Sequence, residues 1–169
     1  MSVVNGKSLL AAAPIEDMLD HKATAHGVSH GLSECGYDIR IKQEIRFNRI
    51  GGKTCAHVCD DGKWTLTPGR FALASSVERF TMPNFLVGVV HDKSSWARRG
   101  LSVFNTVVES GWHGWLTLEL IYHGEDDLIV PAGAGIAQVL FSRVEEMARY
   151  TGKYSDQPNR PVAAIMEKG

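Results

Sequence analysis

The sequence predicts a mainly β fold, an all-β barrel or sandwich, and three observations support this prediction. Short apolar or alternating runs recur along the chain, turns rich in Gly and Pro separate them, and there is neither an internal repeat nor a low-complexity tract. The length of 169 residues suits one domain spanning 1–169, and a hydrophobic content of 44% is ordinary for a globular protein.

Residues 1–30 are expected to be a helical exception to this β pattern. Within residues 8–21, Ile15, Met18 and Leu19 are spaced i, i+3 and i+4, which places them on one face of a helix. Pro14 indicates either a break or the first turn of a second helical segment. We therefore predict an N-terminal helical segment that precedes the strands.

Strand signals follow in chain order after this segment. Alternating side chains predict a half-buried strand over 37–42, and the glycines at 51–52 and 62 predict hairpin turns within 47–63. Further apolar or alternating runs predict strands at 71–74, 85–90, 101–104, 115–122, 128–130 and 136–141. Residues 150–169 are polar and rich in turn residues, so they are expected to form a C-terminal tail.

A polar and basic stretch at 94–100 lies between two of the predicted strands. Ser94 and Ser95 can cap a short helix that continues through Trp96 and Arg98. The exposed N–H groups at the start of a helix, together with neighbouring cations, can bind phosphate. We therefore predict a short helix here with a phosphate site.

The charge balance limits the partners of this protein. Lys and Arg total 18 and Asp and Glu total 19, so the net charge is −1 and the chain lacks the basic field of a nucleic-acid-binding protein. A small polyanion is still a possible ligand, since a few clustered cations suffice to bind it. No apolar run approaches the ~20 residues that span a bilayer, and residues 9–13 are too short for a secretory signal. We therefore expect a cytoplasmic protein without a membrane partner.

The cysteines do not predict a disulfide framework or a zinc site. Their number is odd, and Cys55, His57 and Cys59 form a short cluster without the second ligand pair that structural zinc usually needs. Zinc-dependent nucleobase deaminases combine His-x-Glu with a later Pro-Cys-x-x-Cys, and this combination does not occur. Any deaminase chemistry would therefore have to proceed without zinc.

A series of short motifs runs along most of the chain, from about Gly36 to Gln157. They are YDIR at 37–40, TPGRFALA at 67–74, DKSSWARRGL at 92–101, GWHG at 111–114, LTLEL at 116–120, PAGAGIAQ at 131–138 and GKYSDQ at 152–157. In this order they resemble the motifs of the dCTP deaminase family, whose sister branch is the trimeric dUTPases.

The resemblance implies a distorted β-barrel, a dUTPase-like jelly roll, that assembles as a homotrimer with active sites between subunits. It implies hydrolytic deamination of dCTP to dUTP and ammonia, with Mg²⁺ carried in by the triphosphate and no metal held by the protein itself. dUTP and dTTP are further possible ligands.

Glu119 is the candidate for the proton transfers of this reaction. Deamination at C4 of cytosine needs a base for the attacking water and an acid for N3 and the leaving ammonia, and one carboxylate can serve both. Leu118 and Leu120 are apolar, so Glu119 should point to the opposite side of its strand. The matching dUTPase position is usually aliphatic, which favours deamination. The alternative interpretation is an exposed glutamate on the outside of the barrel.

The resemblance assigns two further catalytic residues to the short helix. Arg98 would supply a fixed positive charge near the reacting atoms, and Ser94 would orient the water and the polar network. Without the resemblance, Arg98 could equally be a surface cation at a helix end and Ser94 a helix cap.

The resemblance also implies contacts with the sugar and the phosphates. Glu109 would bind the deoxyribose 3′-hydroxyl, and Trp112 would pack under the sugar and exclude a 2′-hydroxyl; Trp112 could otherwise be an ordinary core residue. The phosphate side would be bound by Lys93, Ser95, Gln138 and the tail residues Lys153, Tyr154 and Gln157.

The segment from Thr106 to Gly111 departs from the family pattern, since it is two residues shorter and carries Glu109-Ser110 in place of Asp-Pro. This loop normally closes against the base, so the change leaves three alternatives open. The protein could be a dUTP pyrophosphatase or a bifunctional enzyme, it could deaminate a monophosphate or 5-modified deoxycytidine nucleotide, or it could bind nucleotides without turnover.

Overall fold

The computed structural model describes residues 2–104 and 107–166. In chain order its elements are β1 (Val3–Val4), α1 (Gly6–Ala12), β2 (Lys22–Ala25), β3 (Val28–Leu32), β4 (Tyr37–Arg40), β5 (Glu44–Ile50), β6 (Lys53–Asp60), β7 (Lys63–Pro68), β8 (Phe71–Thr81), β9 (Leu86–Asp92), α2 (Ser94–Ala97), β10 (Leu101–Val103), β11 (Val107–Val108), β12 (His113–Tyr122), β13 (Leu128–Val130) and β14 (Gly135–Arg143).

The strands form three antiparallel sheets, so the predicted mainly β fold is confirmed. The largest sheet has the order β11-β9-β14-β4-β3-β2, with β1 added at β14. A second sheet has the order β10-β12-β8, and a third has the order β13-β5-β6-β7. Within residues 2–104 and 107–166 these ladders stay separate and do not close into one continuous barrel. The sheets instead share a common hydrophobic core.

Alternation along the strands builds this core. On β12, Leu118 and Leu120 are fully buried, and on β14 Val139 and Phe141 are fully buried. Burial of such side chains stabilises the fold by about 1.5–3 kcal/mol each relative to exposure. The opposite faces of the same strands therefore remain available for polar side chains.

The predicted helical segment over residues 1–30 is wrong beyond its first part. Helix α1 ends at Ala12, and Ala13 takes a left-handed backbone conformation with φ of 45° while its N–H donates to the carbonyl oxygen of Leu9. Pro14 has no N–H to continue the helical hydrogen bonds. Ile15 is instead buried in an isolated bridge to Phe80, so its apolar character reflects sheet packing rather than a helix face.

Residues 22–32 form a β-hairpin where the sequence had predicted helix. Its turn is His26-Gly27, and both residues have a positive φ, of 53° and 75°. Two consecutive positive φ values define the turn geometry that matches the right-handed twist of paired strands. His26 therefore lies in the turn and His30 lies in β3.

The predicted short helix with the Ser-Ser-x-x-Arg motif is confirmed over Ser94–Ala97. Trp96 anchors it, because the ring is 3% exposed and its Nε1–H donates to the carbonyl oxygen of Gly135 at 2.6 Å. Lys93 is at the N-cap, and no side-chain capping hydrogen bond forms, so the serines do not serve as caps. Ser94, Ser95 and Arg98 are exposed.

Neither of the helices in the described residues has the length and apolar character needed to cross a membrane.

Candidate active site

A cavity of about 450 Å³ lies against the paired strands β8 and β12. Segment 107–112 and the tail after β14 close its other sides. Its walls are largely apolar with a few polar groups, as is usual for a small-molecule site. The lining residues are Phe71, Leu73, Val90, Val107, Val108, Glu109, Trp112, Leu116, Thr117, Glu119, Tyr150, Tyr154, Gln157, Val162 and Ala164.

Glu119 lines this cavity from the middle of β12. Leu118 and Leu120 are fully buried on the other side of the strand, so Glu119 points away from them as predicted. Leu73 is its direct partner on β8 and lines the same cavity. Burial in these surroundings raises the pKa of the Glu119 carboxyl above its ordinary value. A carboxyl with a raised pKa holds a proton more readily than an ordinary glutamate, which suits it to act as an acid as well as a base.

A β-bulge in β8 leaves backbone donors of β12 outside the ladder just before Glu119, because Trp115 pairs with Arg79 and Thr117 pairs with Ser75. The register shifts between Trp115 and Thr117, and the N–H of Leu116 donates to Ser76 Oγ at 2.9 Å. The N–H of Thr117 donates to Gln157 Oε1 at 3.3 Å, and its hydroxyl donates to the same oxygen at 3.1 Å. Bulges of this kind are common beside active sites. Here Thr117 of β12 uses its backbone and hydroxyl donors to bind Gln157 of the tail.

The tail crosses the end of the cavity and is attached along β12. The N–H of Trp115 donates to the carbonyl oxygen of Gln157 at 3.1 Å, and Trp112 Nε1–H donates to that of Tyr154 at 2.7 Å. Gly114 permits this contact, because a Cβ there would stand 2.6 Å from the backbone nitrogen of Gln157. The tail therefore closes the cavity of its own chain.

The structure brings five of the predicted site residues together around this cavity. They are Glu109, Trp112, Glu119, Tyr154 and Gln157. Trp112 is 6% exposed, and its ring centroid lies 5.9 Å from that of Phe80. The apolar ring is therefore fixed beside Glu109, whose carbonyl oxygen accepts from the Trp112 N–H at 3.1 Å. Their roles in binding a sugar stay predictions.

The remaining predicted residues do not line the cavity, and these are Lys93, Ser94, Ser95, Arg98, Gln138 and Lys153. Lys93 forms a buried ion pair with Asp38, and its side chain is only 10% exposed. Gln138 Nε2 donates to Ser33 Oγ at 2.9 Å. Within one chain, the α2 residues and Glu119 therefore do not line a common cavity.

Two polar residues of this cavity, Thr117 and Tyr150, are not among the residues predicted from the sequence. Thr117 could have been found, because side chains two residues apart on a strand share a face and Glu119 is two residues later. Tyr150 offered no such periodic signal. Its N–H donates to the carbonyl oxygen of Ser110 at 2.8 Å, and its hydroxyl accepts from the N–H of Tyr154 at 3.3 Å.

The segment that departs from the family pattern begins at Thr106, which lies outside the described residues. From Val107 on, β11 pairs with β9, and Val108 lies opposite Gly88. The buried Ser110 donates its hydroxyl to the carbonyl oxygen of Leu86 at 2.7 Å. Ser110 therefore fixes this segment against the largest sheet.

The Cys-His cluster lies on β6 and is not part of this cavity. Nε2 of His57 is 2.9 Å from Asn48 Oδ1, and Cys35, Cys55 and Cys59 are free thiols. Among residues 2–104 and 107–166 there is no group of three or more His, Cys, Asp or Glu side chains that could hold a metal ion.

Two solved structures with a similar fold are dUTPases. The native dUTPase of EIAV aligns with a TM-score of 0.50 and 15% identity, covering 84% of this chain and 92% of that chain. The dUTPase of Staphylococcus bacteriophage 80alpha aligns with a TM-score of 0.51 and 13% identity, covering 82% and 91%. The fold therefore places this chain in the class of dUTPase-like β proteins.

Sequence relatives define the family within this class. The family model described as dCTP deaminase-like matches residues 9–144. The dCTP deaminase of Campylobacter fetus subsp. fetus is 36% identical over 155 residues, which is 83% of each chain. The dCTP deaminase of Chlamydia caviae is 33% identical, covering 89% of this chain and 90% of its own. The chain belongs to the dCTP deaminase-like family.

Proposed function

We propose that this protein deaminates dCTP hydrolytically to dUTP and ammonia, without zinc and with Glu119 as the proton shuttle. The observation that carries the proposal is the position of Glu119, a carboxylate in a largely apolar cavity large enough for part of a nucleotide. Relatives named dCTP deaminase support the substrate and the reaction. A carboxylate at this strand position also favours deamination over dUTP hydrolysis.

The reaction requires two proton transfers that Glu119 can perform in turn. The carboxylate first removes a proton from water as the water oxygen bonds to C4 of cytosine, and it delivers this proton to N3. It then takes the second proton from the new hydroxyl and gives it to the leaving amino group. The C–N bond breaks, ammonia leaves, and the carboxylate returns to its starting form.

We further propose a homotrimer whose active sites combine α2 of one subunit with the Glu119 cavity of another. Two observations support this arrangement. Ser94 and Arg98 are exposed on α2 and do not line the cavity of their own chain. The cavity also has exposed apolar side chains at its border, with Phe71 44% and Val107 45% exposed, which a second subunit could cover. Arg98 would stabilise developing charge, and Ser94 would orient the water.

The remaining residues would bind the sugar and phosphates. Glu109 would accept a hydrogen bond from the 3′-hydroxyl, and the buried Trp112 ring would leave no room for a 2′-hydroxyl. The phosphates would contact the set predicted from the resemblance, Lys93, Ser95, Gln138, Lys153, Tyr154 and Gln157. Mg²⁺ carried by the triphosphate would neutralise phosphate charge.

One assay tests the proposal and separates the alternatives. The protein is incubated with dCTP and Mg²⁺, and ammonia, pyrophosphate and nucleotides are measured over time. Ammonia with dUTP is the expected result, whereas pyrophosphate with dUMP identifies a bifunctional enzyme. Parallel reactions with dUTP, dCMP and 5-methyl-dCTP test the other substrates. Binding of dCTP or dTTP without any product would overturn the proposal in favour of a nucleotide sensor.

A further inference from the structure

We infer that Arg40 contacts the phosphate chain of the bound nucleotide, which extends the predicted phosphate surface onto β4. The inference rests on the proposed function, because it assumes a nucleotide ligand at this protein. Arg40 is not among the residues that the resemblance assigned to the site.

Arg40 is held in one orientation by a buried carboxylate. Glu78 is 5% exposed and accepts from the backbone N–H of Arg40 at 2.8 Å and from its Nε–H at 2.7 Å. This pairing uses the inner nitrogen of the guanidinium. The two terminal nitrogens have no hydrogen-bond acceptor among residues 2–104 and 107–166, and the side chain is 32% exposed. A fixed guanidinium with two available donor groups is suited to bind a phosphate.

Lys93 lies beside Arg40 on the same part of the largest sheet. Arg40 is the register partner of Gly135, and Lys93 Cε is only 3.4 Å from the position of a Cβ at Gly135. Lys93 Nζ pairs with Asp38, which shares the face of β4 with Arg40 because the two residues are two positions apart. The side chains of Arg40 and Lys93 therefore lie on either side of Gly135. Lys93 also directly precedes the exposed serines of α2.

Further polar groups complete this surface. Gln138 is the register partner of Asp38 on β14, so its side chain lies on the same sheet face. Ser29 donates its hydroxyl to Asp38 Oδ2 at 3.2 Å. Asp38 Oδ1 is buried and has no hydrogen-bond partner among the described residues, so the network is incomplete without a further ligand. Because phosphate oxygens and Asp38 Oδ1 both accept hydrogen bonds, the donor to Asp38 would be a water molecule of the Mg²⁺ shell that the phosphates carry.

The chemistry of these groups favours a phosphate over an uncharged ligand. Guanidinium, ammonium and hydroxyl groups donate hydrogen bonds to the several acceptor oxygens of a phosphate. Glu78 is turned inwards to Arg40, and the Asp38 carboxylate on this surface is paired with Lys93. The expected ligand is therefore the triphosphate of the same nucleotide that enters between subunits.

The test compares Arg40→Gln with the control Arg49→Gln, whose side chain pairs with Glu125 on the third sheet. Affinity is measured by calorimetry for dCTP and by competition for deoxycytidine, which has no phosphate. We expect the affinity of Arg40→Gln for dCTP to fall roughly tenfold or more, with deoxycytidine changed less than about twofold. Arg49→Gln should bind both like the wild type.

Arg40→Gln leaves Glu78 buried without its cation, so the double variant Arg40→Gln/Glu78→Gln keeps the inference testable if the single variant does not fold. Equal losses for dCTP and deoxycytidine, or no loss for either in a folded variant, would overturn the inference. A weakened trimer in sedimentation with unchanged dCTP affinity would also overturn it, since Arg40 would then bind a neighbouring subunit. Failure of the proposed deamination gives a different result, namely dCTP binding by the wild type without ammonia release.

Discussion

Glu119 lies directly opposite Leu73 in the pairing of β12 with β8, and both residues line the same cavity. Directly opposed side chains on antiparallel strands are neighbours, so the leucine displaces water from the carboxylate. Loss of water disfavours the charged form, which explains why the pKa of the Glu119 carboxyl is raised. The strand pairing thus places an apolar neighbour beside the proposed catalytic group and contributes to its burial.

Replacement of Glu119 by Gln should remove turnover and keep binding. Gln has nearly the same shape, but it cannot accept a proton from water, so we expect ammonia release from dCTP to fall by about 10²–10⁴-fold. Nucleotide binding should persist within a few fold. Ammonia assays and dCTP calorimetry on the same preparation measure both quantities.

Glu44→Gln is the matched control, because Glu44 lies on β5 in an ion pair with Arg46 and outside the cavity. It should retain wild-type turnover. Undiminished ammonia release by Glu119→Gln would exclude Glu119 from the mechanism.

The acid side of the pH–rate profile should report the raised pKa of Glu119. The carboxylate is the form that accepts a proton from water, so activity falls as the pH decreases through this pKa. Because the pKa is raised, this loss begins at a higher pH than for an ordinary glutamate. Leu73→Asn supplies a polar neighbour, and we expect it to lower the pKa and shift the acid limb to lower pH.

Leu73→Met is the control, since it keeps an apolar side chain of similar volume. The acid limb of the Leu73→Met profile should match that of the wild type. Glu109, the other carboxylate that lines the cavity, is present in both variants, so it cannot account for a difference between them. An identical acid limb in Leu73→Asn and Leu73→Met would argue against control by the apolar neighbour.

Two inactive variants should restore activity when their subunits mix. Ser94→Ala and Glu119→Gln affect residues that line no common cavity within one chain. If each site takes Ser94 from one subunit and Glu119 from another, random mixed trimers contain intact sites at about one quarter of positions. Co-expression of the two variants should therefore recover about a quarter of wild-type ammonia release.

Separate expression followed by mixing without subunit exchange is the control, and it should stay inactive. No recovery in co-expressed, mixed trimers would place Ser94 and Glu119 in a site of one chain and overturn the shared site.

Gly114→Ala should detach the tail from β12. Gly114 has a φ of +128°, and a Cβ there would approach the backbone nitrogen of Gln157 to 2.6 Å. Loss of the hydrogen bonds from Trp115 and Thr117 to Gln157, at about 1 kcal/mol each, corresponds to a rise in KM for dCTP of roughly tenfold or more. Steady-state kinetics and limited proteolysis of residues 150–166 measure the effect.

Gly133→Ala is a matched control, because Gly133 also has a positive φ, of +80°, but a Cβ there meets no atom within 4 Å. Both variants carry backbone strain, and only Gly114→Ala affects the tail. Equal protease sensitivity in the two variants would contradict the attachment of the tail to β12 at Gly114.

The sequence alone supports the strands after residue 37 and the orientation of Glu119. A period of two along residues 116–120 predicts that Glu119 faces away from Leu118 and Leu120, and this depends only on local geometry. Gly51-Gly52 and Gly62 mark the hairpins of β5, β6 and β7, because these turns need the backbone freedom of glycine. Motif order identified the family without any contact information.

Tertiary structure decided the features that depend on distant partners. Residues 15–19 have helical spacing, yet Ile15 pairs with Phe80, a contact that no local period encodes. Gln157 reaches Gly114, and Lys93 pairs with Asp38, across long stretches of chain. Periodicity reports only which side of an element is buried, whereas the partners of a side chain depend on how the sheets pack. That packing is what assembles Glu119, Trp112 and the tail into one cavity.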